Sequence, residues 1–189
     1  KLKNKEAGQS SESKIRKLTR ILNKNKINFQ FISAPENVAW LMNIRGLDSE
    51  YSPIPNSYLI LDSYNICYLF CNLEKISKKF KNNLGDDVKM INIKNINEFI
   101  LEIKDKTFQL DSSSCSIFFK NIIKKNNKII EKQDPIYLFK SIKNKVEIKN
   151  TIKTHIHDGA ALTKFLLWVN KNYKNNKITE ISAQKKLLE

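Results

Sequence analysis

Arg45, Asp48 and Glu50 fall within one short stretch of VAWLMNIRGLDSEYSPIPNSYLIL, residues 38–61, which also holds Trp40, one of the four glycines and two of the four prolines. A guanidinium is planar, permanently charged and suited to binding carboxylates in a two-pronged way. Next to acids on a segment stiffened by Pro53 and Pro55, Arg45 could hold a ligand or a neighbouring surface, with Asp48 as candidate partner. The competing expectation is structural: an arginine in the last turn of a helix, before a glycine cap, meets the exposed carbonyls and the favourable end of the helix dipole. Trp40 is expected in the core.

The other chemistry-bearing residues do not assemble into a reactive set. His155 and His157 are two apart. On a helix such residues point about 200° from each other and cannot grip one ion. His155 is therefore expected on a helix surface, at a contact between domains. Cys67, Cys71 and Cys115 are odd in number and form no C-x-x-C pair, which argues against a disulfide framework and against zinc. As a strand, Cys67, Leu69 and Cys71 share one face and Ile66, Tyr68 and Phe70 the other. Both faces are apolar, so the segment reads as an interior strand carrying reduced thiols. Asp86 and Asp87, like Asp48 and Glu50, read as solvated loop acids. No catalytic residue and no metal ligand is expected in this chain.

The elements that would position these residues alternate. Ser10 or Ser11 caps a helix with Ile15, Leu18, Ile21 and Leu22 on one stripe, and 29–33 is a short strand. Pro35 opens a second helix, with Val38, Leu41 and Met42 inward and Gly46 just past its end. Segments 56–61 and 65–71 are a strand pair around Asp62-Ser63-Tyr64. Then come a helix at 73–82, a strand at 88–93, a helix at 96–104, a strand at 107–111, a helix at 113–125 and a strand at 129–132. Strands alternating with helices define a layered α/β domain over residues 10–133, after a polar segment 1–9. The pattern changes at Asp134-Pro135. Residues 146–173 read as one long helix, and Thr179 caps another that ends with the chain at Glu189. Two helices cannot bury so much apolar surface alone, so 134–189 reads as the start of a truncated second domain.

The chain has 189 residues, 41% of them hydrophobic, and a formal net charge of +15. That length can bury a sizeable core. The charge invites a nucleic-acid reading, but lysine is spread from end to end and arginine is confined to Arg16, Arg20 and Arg45. No nucleic-acid partner is expected. No apolar run approaches a membrane span, and the first residues lack a signal peptide's apolar centre, so no membrane association and a cytoplasmic location are expected.

The segment AWLMNIRGLDSEYSPIPNSYLIL resembles the middle domain of three-domain Xaa-Pro aminopeptidases, whose pattern is close to A-W-L-x-N-(L/I)-R-G-x-D, then Pro, then S-Y before an apolar strand. PIYLFKSIKNKVEIKNTIKTHIHDGAAL is similar to that family's P-I-x-x-x-K-x-(I/V)-K-N-x-x-E-(I/L), followed by A-H-x-x-D-(G/A)-x-A-L. Thr154 stands where the family has Ala, and only His155 matches its histidine. TKFLLWVNKNYKNNKITEISAQKKLLE looks like the opening of the catalytic domain.

The resemblance implies a creatinase-like middle domain with a mixed sheet and flanking helices, followed by the first helices of a pita-bread (α+β) catalytic domain. It implies a metallopeptidase that removes the residue before a penultimate proline, a homodimer, and two divalent ions, expected as manganese, held by two Asp, one His and two Glu. Such ligands lower the pKa of a bridging water and clamp the developing oxyanion. In the family's order all five lie beyond Glu189. The resemblance also puts the Arg45–Asp48 loop towards the catalytic domain, making Arg45, Asp48 and His155 the candidate substrate-mouth or domain-interface residues. The alternative is a non-catalytic creatinase-like module that binds peptides or proteins.

Overall fold

The polar amino terminus is anchored. In the computed structural model, which describes residues 1–174 and 178–189, Leu2 N–H donates to Asn43 O at 2.6 Å beside a short helix, α1 (Asn4–Ala7). Ser10 caps α2 (Ser11–Lys24) by accepting from the Ser13 N–H, and Ile15, Leu18 and Leu22 form its buried stripe. β1 (Phe29–Ile32) and α3 (Pro35–Met42) follow, with Pro35 in the first turn as its fixed φ favours.

β2 (Tyr58–Asp62) and β3 (Cys67–Cys71) form a hairpin. Its turn is set by the Asp62 carboxylate, whose Oδ1 accepts from the N–H groups of Tyr64 and Ile66, each at 2.8 Å. The single helix expected over 73–82 is instead a 3₁₀ turn, Leu73–Lys75, and a short α4 (Lys78–Asn82). The Asn72 and Ser77 side chains each cap a new start, accepting from Glu74 and Phe80 N–H, and so break the run in two. β4 (Val88–Asn92), α5 (Ile96–Glu102), β5 (Thr107–Leu110), α6 (Ile117–Asn126) and β6 (Lys128–Glu131) complete the alternation. α6 starts later than the expected 113 because Asp111 takes the Ser113 N–H and hydroxyl into a turn and Ser116 is the cap.

The six strands form one mixed sheet in the order β4-β3-β2-β1-β5-β6. β1–β2 and β2–β3 are antiparallel, and the other pairs are parallel. β3 is interior, as its two apolar faces require. One face of the sheet, with Ile32, Leu59, Leu69 and Cys71, packs under α2 and α3; the other, with Phe31, Phe70 and Phe108, packs under α5 and α6. α7 (Pro135–Ser141) adds Ile136, fully buried, to the first core. The first compact unit therefore runs Lys1–Ile142, past the change of pattern read at Asp134.

The second unit, Lys143–Glu189, holds α8 (Lys145–Asn172) and α9 (Glu180–Leu188). Asn144 caps α8 and Thr179 caps α9. α8 has no buried residue: Ile152 and Leu166 are each 57% exposed, whereas Val169 is half-buried. Among the described residues, no helix is long and apolar enough to cross a membrane.

Candidate functional site

The loop between α3 and β2 is shaped by backbone geometry. α3 ends at Asn43, which adopts a left-handed φ of 54°. Asparagine tolerates this conformation. Gly46, expected as the cap, lies three residues further on and serves a different need. A Cβ there would sit 2.6 Å from Pro55 Cα, and its N–H donates to Pro53 O at 3.1 Å. The glycine and the two prolines thus cinch the base of the loop.

Arg45 is exposed and lies beyond the last helical turn rather than within it. Its Nη1 turns back to donate to Ile44 O at 2.8 Å and to Ala39 O at 3.5 Å. It still meets carbonyls at the carboxyl end of α3. Asp48 is not its partner. The Asp48 carboxylate accepts from Lys75 Nζ at 2.6 Å and from Asn56 N–H at 2.8 Å. Those bonds, the lysine first and the backbone N–H next, hold its carboxyl below the usual range. Lys75 was absent from the sequence reading, and 27 residues separate it from Asp48, so no local pattern marks the pair.

Arg45, Asp48 and Lys75 stand on the walls of a cleft of about 440 Å³ whose apolar lining includes Ile44, Leu69, Cys71 and Phe80. Leu47 projects beside it, 98% exposed. An apolar recess with cationic groups on its walls can take a hydrophobic side chain and a nearby carboxylate or carbonyl. It offers no activated nucleophile, because burial first and Asp48 second push the Cys71 thiol up. Burial also raises Cys67 to about 12 and Cys115 to about 11, so all three cysteines favour the thiol form.

Two buried polar clusters brace this unit, neither identified by the sequence. Lys14, 2% exposed, donates to Trp40 O at 2.9 Å and Asn43 Oδ1 at 2.7 Å, with its ammonium 3.9 Å from the Trp40 ring centre. Trp40 is half-buried against the core. Asp134 caps α7 by accepting from Ile136 N–H, and its own N–H donates to Asp111 Oδ2 at 2.8 Å. The sequence marked a change of pattern at Asp134-Pro135, but neither the helix that starts there nor its connection to Asp111 was read.

His155 and His157 are exposed on α8 in the second unit. Among the described residues, no three His, Cys, Asp or Glu side chains gather as metal donors.

The mixed sheet, its flanking helices and the cinched loop define a creatinase-type α/β domain. Residues 1–147 match the model of the creatinase/prolidase N-terminal domain, and the chain belongs to that family. It is 33% identical over 192 residues to a protein named probable Xaa-Pro aminopeptidase P from Coccidioides posadasii, covering 96% of this chain and 31% of that one. It is 29% identical over 170 residues to Xaa-Pro aminopeptidase 1 of Dictyostelium discoideum, covering 89% and 27%. The chain thus spans about a third of the length of these relatives. Among solved structures it is similar in fold to an X-prolyl aminopeptidase from Caenorhabditis elegans, described as a cytosolic enzyme with a di-nuclear active site. The TM-score there is 0.85 at 23% identity, over 98% of this chain and 31% of that one. A prolidase from Pyrococcus horikoshii gives a TM-score of 0.64 at 18% identity, over 93% and 47%.

Proposed function

We propose that this chain is part of a metal-dependent Xaa-Pro aminopeptidase, which removes the amino-terminal residue from peptides with proline in second position. The observation that carries the reading is the breadth of the sequence match: relatives of that name align along 96% of the chain, across both units. In this reading the first unit shapes substrate access and packs against the catalytic domain. The cleft supports that role, because its apolar lining stands beside Arg45 and one of its walls is a loop fixed by Gly46 and Pro55. His155 would contact a neighbouring domain from its exposed place on α8. Of the stretch 134–189 read as the opening of the pita-bread domain, the second unit would take that place, and the apolar positions exposed on α8 would be covered by the domain's remainder.

The donors for two divalent ions, with manganese the expected metal, are not gathered among the described residues of this chain. No chemical step is assigned to its side chains. The di-nuclear site described for the nematode relative supports the two-ion reading, and its cytosolic description supports a cytoplasmic location. We extend the proposal to a homodimer. The test is to assay the complete protein on matched Xaa-Pro and Xaa-Ala peptides, with manganese and after chelation. Metal-dependent release of the first residue only from Xaa-Pro supports the reading. Binding of peptide without hydrolysis would assign the chain to a non-catalytic binding module instead.

A further inference from the structure

We propose that the Asp48–Lys75 ion pair is a strap across the cleft, whose release opens an apolar recess to a hydrophobic peptide side chain. The cleft is lined by two segments, 44–57 and 69–80, and the pair joins one to the other at 2.6 Å. The two ends of this strap are held very differently. Asp48 is fixed by a second bond, from the Asn56 N–H, on a loop cinched by Gly46 and Pro55. Lys75 sits on a one-turn 3₁₀ segment with its side chain 64% exposed. An exposed ion pair contributes little and weakens as salt screens it. Behind it Ile44, Leu69 and Cys71, at 3%, 1% and 6% exposure, form part of the apolar lining of the cleft. The lysine end therefore releases readily while the loop keeps its shape. Naming the occupant as a peptide side chain rests on the proposed aminopeptidase reading; the strap itself does not.

Cys71 is a built-in reporter, and Cys67, fully buried on the same strand, is the control for unfolding. The 189-residue chain would be treated with a small maleimide, and labelling at each cysteine followed by peptide mass spectrometry. Asp48→Asn and Lys75→Met should each label Cys71 roughly two- to five-fold faster than the parent in low salt, and added sodium chloride should bring the parent towards the variants. The two variants also separate opening from electrostatics. Losing the carboxylate would favour the Cys71 thiolate, whereas losing the ammonium would disfavour it. A faster rate in Asp48→Asn with a slower one in Lys75→Met would overturn the proposal, as would Cys67 labelling in step with Cys71. Because the readout is labelling and not hydrolysis, failure here leaves the peptidase assay unaffected, and failure of that assay leaves the strap standing.

Discussion

Asn37 Nδ2 donates to Asp134 Oδ2 at 2.9 Å, and its Oδ1 accepts from Lys140 Nζ at 2.6 Å. The asparagine is thus a relay with a fixed direction, from an ammonium at one end to a carboxylate at the other. It ties α3 to α7 inside the first unit, where Asn37 is fully buried and Asp134 is 3% exposed. Asp134→Ala removes the cap of α7 and leaves the Asn37 amide without its acceptor. The expected loss is about 2–3 kcal/mol in urea unfolding. Asp134→Asn should also destabilise, because its amide would set donor against donor. A variant as stable as the parent would refute the relay.

Gly46→Ala should destabilise the first unit by about 1–3 kcal/mol, since the added methyl meets Pro55 backbone rather than a movable side chain. The check is thermal melting of the two proteins side by side. A melting temperature unchanged by the alanine would show that the loop base has room to shift.

Lys14→Met keeps the length of the side chain but leaves Trp40 O and Asn43 Oδ1 without this donor. It should lower stability by about 1–3 kcal/mol and change Trp40 fluorescence as the ammonium leaves the ring. An unaltered spectrum and unfolding midpoint would contradict the buried capping role.

The acid response has a definite sign at Glu12. Desolvation pushes its carboxyl up, but its own backbone N–H, the Ser10 side chain and Lys1 outweigh that and lower it from 4.5 to about 2. A carboxyl depressed in the folded state contributes stability above its unfolded value and loses it as pH falls through the folded one. Glu12→Gln should therefore narrow the stability loss between about pH 4.5 and 2. Parallel pH profiles for parent and variant would rule this out.

These predictions turn on residues that the sequence disclosed unevenly. The interior position of β3 was visible because Cys67, Leu69 and Cys71 alternate with Tyr68 and Phe70, and only a covered strand tolerates two apolar faces. The first cap was narrowed to Ser10 or Ser11, of which Ser10 serves, and Thr179 was visible as a cap, because the cap acts within three residues. The end of α3 was not. Glycine is the common residue past a helix end, but here Asn43 takes the left-handed turn and is held by Lys14, 29 residues away. Arg45 was legible as a residue meeting helix carbonyls, but Asp48 was drawn to Lys75 rather than to it. Pairings made only when distant segments meet leave no periodic trace in a single sequence.

Arg45 separates a binding role from a capping role. It is exposed, so Arg45→Ala should cost no more than about 1 kcal/mol of stability. In the complete protein it should nevertheless reduce turnover or substrate binding on an Xaa-Pro peptide. Activity that falls only as far as stability falls would leave Arg45 a cap.

The central proposal is that this chain is part of a metallopeptidase whose metal ligands lie elsewhere in the protein. The most direct measurement compares the 189-residue chain with the complete protein on one Xaa-Pro peptide, with manganese added to both. The account predicts release of the first residue by the complete protein and none by the 189-residue chain. Hydrolysis by the short chain would contradict it, because the described residues of that chain gather no group of metal donors.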